Sequence, residues 1–186
     1  MKRAVLVEGI SDRIALETLA RRRGRDLEAE GISVVAMGGA QAIGVFLERF
    51  GRAGLGTAVG GLCDVGEEDE FRRGLERAGF GRGLTRAGME ELGFYVCVAD
   101  LEEELIRALG TARVEQVVEA QGDLRPFHTL QRQPAWQGQP VEAQLRRFMG
   151  SGGRRKTRYA QILVDALELH QVPRPLDGVL AQSRRK

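Results

Sequence analysis

Four short apolar runs punctuate the first hundred residues, and each ends on a carboxylate or a pair of glycines. Arg3–Val7 leads into Glu8-Gly9-Ile10-Ser11-Asp12, Ile32–Met37 into Gly38-Gly39, Thr57–Cys63 into Asp64, and Phe94–Ala99 into Asp100-Leu101-Glu102. Helix-period segments separate the runs. Ala15, Leu16, Leu19 and Ala20 mark a first helix ending near Gly24, Ile43, Phe46, Leu47 and Phe50 a second, and Glu68–Ala78 a third. Gly79–Gly93 is glycine-rich and irregular, with a short helix near Arg86–Leu92. Strands alternating with helices predict an α/β fold, a parallel sheet flanked by helices on both faces. The Phe94–Ala99 run has no polar alternation, so it should be covered on both sides.

After Asp100 the pattern turns helical. Leu101, Leu105 and Leu109 mark one helix and Val114, Val117 and Val118 another. Pro126, Pro134 and Pro140 interrupt a looser segment around Trp136. Arg158–Leu169 is the best helical stretch of the tail, Pro173 and Pro175 break it, and Leu176–Gln182 supplies a last turn or two. The expected division is a core over residues 1–110 and a helical C-terminal extension over 111–186.

Apolar residues make up 42% of the 186-residue chain and charged residues 29%, a soluble globular balance that excludes a disordered tail. No apolar segment approaches the roughly 18–20 residues that span a bilayer, and the run before Glu8 is too short for a secretory leader. No membrane association and a cytoplasmic location are therefore expected. Cys63 and Cys97 fall inside strands, which suits buried structural thiols, and two cysteines with two histidines form no zinc signature.

The net charge is only +2, but it is segregated. Arg21-Arg22-Arg23, Arg146-Arg147, Arg154-Arg155-Lys156-Arg158 and Arg184-Arg185-Lys186 are basic, while Glu67–Glu70 and Glu102–Glu104 are acidic. Basic flanks around an acidic centre fit an anionic partner such as DNA. Each cluster taken singly also reads as a solvated helix face.

In a parallel sheet, ligands bind beyond the carboxyl ends of the strands, and Glu8, Gly38-Gly39, Asp64 and Asp100 all fall there. A carboxylate ending a buried strand is costly unless a cation meets it. Glu8 and Asp12, four residues apart across a glycine turn, are placed to share an ion, with Ser11 able to cap the helix start. An ordinary strand–turn–helix explains Asp12 as a helix-dipole partner but leaves Glu8 unexplained. Gly38-Gly39 offers backbone N–H groups to a phosphate, or is simply a tight turn. Asp64 and the pair Asp100 and Glu102 complete the acidic set, with Glu103, Glu104 and Glu67–Glu70 expected on the surface. Hard oxygen donors of this kind favour Mg²⁺ or Mn²⁺, as one ion or two. Two ions about 3.5–4 Å apart can steady both the attacking and leaving oxygens of a phosphoryl displacement.

Strand-Glu8-Gly9-x-Ser11-Asp12, then Gly38-Gly39, then a strand ending in Asp64, resembles the Toprim domain shared by topoisomerases, primases and several nucleases. Asp100-x-Glu102 and the late Lys156 narrow the likeness to the nuclease branch of the OLD (overcoming lysogenization defect) family. The resemblance implies a Toprim-like, Rossmann-like sheet. It further implies that Glu8, Asp12, Asp100 and Glu102 hold metal, Asp64 holds a second ion, and Lys156 stabilises transition-state charge. Arg154, Arg155 and Arg158 would contact the phosphates of DNA.

Two positions depart from the pattern. The family's Asp-x-Asp pair reads Asp64-Val65-Gly66 here, leaving Glu67 or Glu68 to stand in. The ATPase loop Gly-x-x-x-x-Gly-Lys-[Ser/Thr] that precedes this domain in OLD proteins occurs nowhere in the chain. The expected activity is metal-dependent nicking or cleavage of DNA. The alternative is a catalytically degenerate module that binds nucleic acid or an ATPase acting in trans, and a structured RNA substrate is a third reading. A homo-oligomer is compatible with each.

Overall fold

The computed structural model describes residues 3–51 and 53–183; the Arg184-Arg185-Lys186 cluster lies outside them. Strand β1 (Arg3–Val7) is central, with β2 (Ile32–Ala36) on one side and β3 (Ala58–Asp64) on the other. β4 (Phe94–Cys97) pairs with β3 at the far edge, giving the order β2-β1-β3-β4, all parallel. The chain leaves β1 in one direction and returns on its other side. The switch point therefore lies between the carboxyl ends of β1 and β3, where Glu8 and Asp64 sit.

Alternation along β1 sends successive side chains to opposite faces, and both are buried. Ala4 and Leu6 join a cluster with Ile43, Leu47, Phe71, Leu75 and Met89, from α2 (Ile43–Phe50), α3 (Glu68–Arg77) and α4 (Arg86–Glu91). Val5 and Val7 join a larger cluster with α1 (Ile10–Arg22) and the helices after Asp100. These are α5 (Leu101–Leu109), α6 (Thr111–Ala120), α7 (Leu124–Gln131), α8 (Val141–Gly150), α9 (Gly153–Ala166) and α10 (Arg174–Gln182). One continuous apolar cluster thus runs from Val5 to Leu180.

Gly60-Gly61 reads as a weak point of β3, yet it is what lets the sheet close. A Cβ on Gly61 would sit 2.6 Å from the Leu6 carbonyl oxygen and 2.8 Å from the Phe94 ring. The fourth strand ends at Cys97 rather than Ala99, because Val98 is exposed and its N–H turns to Glu104. α9 ends before Pro173 and Pro175 as expected, while Pro126 and Pro175 themselves lie in the first turns of α7 and α10. They occupy the third and second positions of α7 and α10, where an N–H has no intrahelical partner in any case. α9 starts at Gly153, five residues before the expected start, and α8 occupies a stretch read as loose. Among the described residues no helix is long and apolar enough to cross a membrane.

Candidate metal and phosphate site

Glu8 follows the last residue of β1, and its carboxylate Oε1 accepts the backbone N–H of Asp64 at 2.9 Å. The two strand ends are thereby tied together. Glu8's carboxyl is raised by burial and by Asp12 and Glu67, with the Asp64 N–H and Lys156 acting in the opposite sense. Asp64 is pushed up to about 8, by burial first and then by Glu8, Asp12 and Asp100. Four acids from three strand ends therefore share one electrostatic field.

The turn after β1 differs in detail from the expected one. Gly9, not Ser11, is the N-cap of α1, and the Gly9 N–H donates to Asp12 Oδ2 at 2.8 Å. Ser11 is buried instead. Asp12 is raised by burial, with Asp100 adding to the effect and Lys156 opposing it. Gly38 and Gly39 do not aim their amides at a ligand. Both N–H groups donate to the Glu8 carbonyl at 3.0 Å, so this pair is a tight turn that fixes the Glu8 backbone. Their φ angles of +82° and +131° explain why glycine is needed there.

Asp100 is the N-cap of α5: its Oδ1 accepts the Glu103 N–H at 2.8 Å, and its Oδ2 accepts from Arg146 Nε at 2.6 Å. Glu102 lies beneath it, 5% exposed, with Lys156 Nζ 3.5 Å from its Oε2. Its Oε1 is buried with no hydrogen-bond partner. Burial raises Glu102, Lys156 pulls it back, and Asp100 and Asp12 raise it further. For Lys156, burial works against the charge, but Glu102, Asp12 and Asp64 together outweigh it and raise the ammonium.

Helix packing brings Lys156 here. Arg22, at the end of α1, donates to the Val164 and Leu167 carbonyls at the end of α9, at 2.7 and 2.6 Å. Lys156 near the start of α9 faces Asp12 near the start of α1. The two helices run side by side in the same direction.

Several basic residues read as DNA contacts serve the fold. Arg155 donates to Ser151 Oγ at 2.8 Å and stacks over the Phe148 ring. Arg158 pairs with Asp123 at 2.7 Å. Arg22 caps α9, and Arg23 pairs with Asp177 at 2.6 Å. Arg154 remains exposed. Of the candidates to replace the missing acid, Glu68 pairs with Arg86 and is held below the usual carboxylate range, whereas Glu67 faces Glu8. Glu104, expected on the surface, is 1% exposed, accepting the Val98 N–H at 2.7 Å and pairing with Arg107. Both cysteines are free and buried, and burial pushes each thiol up.

Among the described residues no three His, Cys, Asp or Glu side chains already converge as a ready-made metal cluster. The donor chemistry nevertheless fits a hard divalent cation: mutually repelling carboxylates, one orphaned Glu102 oxygen, and no thiolate or imidazole among them. A cavity of about 310 Å³ opens beside these acids, lined by Asp100, Glu102, Trp136, Arg146, Arg147 and Lys156. A larger one, about 890 Å³, lies between α1 and the edge strand β2 and holds none of the strand-end acids.

Residues 1–64 match the family described as Overcoming lysogenization defect protein-like, TOPRIM domain. Over that stretch, which holds Glu8 and Asp64, the chain is similar to OLD-like Toprim domains. Its fold is that of the C-terminal regions of OLD proteins over almost the full length. The region from Xanthomonas campestris pv. campestris, phased with mercury, superposes with a TM-score of 0.74 at 24% identity, covering 98% of this chain and 94% of that one. The region from Burkholderia pseudomallei gives 0.72 at 21%, covering 98% and 96%. No curated protein matches the chain. The likeness includes the helices after Asp100, so the Toprim sheet and the helix bearing Lys156 recur together.

Proposed function

We propose that the chain is a Mg²⁺- or Mn²⁺-dependent nuclease that hydrolyses phosphodiester bonds of DNA with little sequence preference. The observation that carries this reading is the shared field of Glu8, Asp12, Asp64 and Asp100, which lifts Asp64 to about 8. Such crowding is relieved by a divalent cation. Toprim domains are in general metal-binding domains of nucleases and primases, which supports the same reading.

Glu8, Asp12 and Asp64 would hold the ion, with Asp100 and Glu102 beside them. The metal would supply Lewis acidity and lower the pKa of a bound water. The chain's own groups do the rest. The Asp64 N–H and the Gly38-Gly39 turn hold Glu8 in place from both ends. Lys156, kept charged by its acidic neighbours, neutralises charge developing on the phosphoryl oxygens. Exposed Arg146, Arg147 and Arg154 draw the polyanion toward a centre that would otherwise repel it.

The test is nicking of supercoiled plasmid by a preparation free of contaminating nuclease. The chain should produce open circles only with Mg²⁺ or Mn²⁺, and Glu8→Gln or Asp64→Asn should slow this at least about 100-fold. Parental rates in both variants would refute the assigned centre. DNA bound but uncut under either ion would point to a binding module instead, and cleavage of hairpin RNA alone would move the substrate.

A further inference from the structure

The cavity beside the acids has features that metal binding leaves unexplained. Trp136 packs on the large apolar cluster and also lines the cavity. Its segment is anchored from below: buried Gln144 donates to the Trp136 carbonyl at 2.8 Å and accepts from Gln131 at 2.9 Å. A half-buried indole fixed in this way is a platform prepared in advance. Among the other lining residues, Arg146 is 48% exposed although it touches Asp100, and Arg147 is exposed. The cavity also reaches the acidic metal edge at Glu102, 95% withdrawn from solvent, whose Oε1 has no partner.

Aromatic face, guanidinium groups and an acidic metal edge together match one nucleotide: a base to stack, a phosphate to grip, and the bond to be cut. At about 310 Å³ the cavity lies at the small end of ligand sites, roughly 300–1,000 Å³. That suits one base, not a duplex. A base inside a duplex has no free face to offer, whereas an unpaired base stacks on an aromatic ring without regard to sequence.

We propose that this cavity binds an unpaired nucleotide next to the scissile phosphate, with Trp136 stacking its base and Arg147 contacting its phosphate. The substrate of the site is then single-stranded DNA or a locally opened strand. This rests on the nuclease reading for the location of the scissile bond, but the stacking itself does not require cleavage.

Trp136 is the sole tryptophan of the chain, so its fluorescence reports the platform directly. The full chain is titrated in Ca²⁺ with oligothymidylate and, separately, with a blunt duplex, following emission and the anisotropy of labelled strands. Oligothymidylate should quench the emission and the duplex should not. Trp136→Ala should weaken single-strand binding about 10- to 100-fold, and Trp136→Phe should restore most of it. Arg147→Ala should lower the log–log salt slope by about 0.7.

Single-strand binding without quenching, or equal affinity in Trp136→Ala, would overturn the proposal. Should that variant fail to fold, the quenching of the parent and the binding of Trp136→Phe still decide. Plasmid nicking without quenching would sink the platform and leave the nuclease standing. Quenching with no cleavage under Mg²⁺ or Mn²⁺ would do the reverse.

Discussion

Glu8 Oε1 accepts the backbone N–H of Asp64 at 2.9 Å, across 56 positions of sequence. The bond makes one acid of the site the anchor for the next. Glu8 thus has two separable properties, its charge and its acceptor oxygen. Glu8→Gln keeps the acceptor and removes the charge; Glu8→Ala removes both. Both should lose metal-dependent nicking, but only the alanine variant should lower stability, by about 1–2 kcal/mol. Urea melts of the two variants, compared with the parent, check the split.

The raised carboxyl of Asp64 makes the metal-free protein pH-sensitive in a stated direction. Folded Asp64 keeps its proton up to about pH 8. Unfolded aspartate releases its proton near 3.9. Over that window the native state binds more protons, so stability is full below the lower value and falls as pH rises toward the upper one. Glu8, Asp12 and Glu102 are displaced the same way. Thermal melts in chelator should show Tm dropping from pH 5 to pH 8, and Asp64→Asn should flatten the curve.

Gly66 stands where the family pattern has an acid, and the space there is open: a Cβ would meet nothing within 4 Å. Its φ does not fall in the left-handed region. Gly66→Asp should therefore fold like the parent. It adds a carboxylate beside Asp64 and Glu67, and should tighten Mn²⁺ binding by about tenfold as ligand charge increases. Calorimetric titration with Mn²⁺ is the measurement.

Lys156 and Glu102 form an asymmetric pair, 39% and 7% exposed. Lys156→Met leaves the buried Glu102 carboxylate without its cation and should cost about 1–2 kcal/mol, reduced by the exposure of the ammonium. Adding Glu102→Gln should recover most of that loss. Denaturant midpoints for the two single variants and the double variant give the coupling.

Among the ion pairs of the described residues, Arg25 has the most deeply buried guanidinium, 4% exposed. It holds Glu30 at 2.5 Å and also donates to the Leu180 carbonyl at 2.7 Å and Ser183 Oγ at 3.2 Å. Arg25→Ala should destabilise by about 1–3 kcal/mol, since it removes the buried guanidinium that ties the α1 end to the Leu180 carbonyl and Ser183 of α10. Hydrogen exchange should show α10 opening first.

The parallel sheet and its acidic edge were legible because strand-terminal acids break an apolar run, a local signal. Glu8 and Asp64 needed no knowledge of packing. Lys156 is different: its place depends on α9 lying along α1, which rests on the Arg22 bonds to Val164 and Leu167 and on no local pattern. The roles of Arg155 and Arg158 were hidden likewise, since a basic run reads alike whether it faces solvent or an aromatic ring. α8 could have been read. Val141, Leu145, Phe148 and Met149 follow i, i+4, i+7, i+8, a period masked by the prolines before it. Trp136 carries no local signal, because its place depends on Gln144 fastening its loop from beneath.

Because Arg22 grips the far end of α9, the reach of the Lys156 amine is governed from the opposite pole of the bundle. The stretch of α1 from Asp12 to Arg22 separates that grip from the acid by about 15 Å. α9 therefore works as a lever arm. A change at Arg22, touching neither acid nor phosphate, would slide the ammonium out of alignment, and a screen confined to the cleft would never find it.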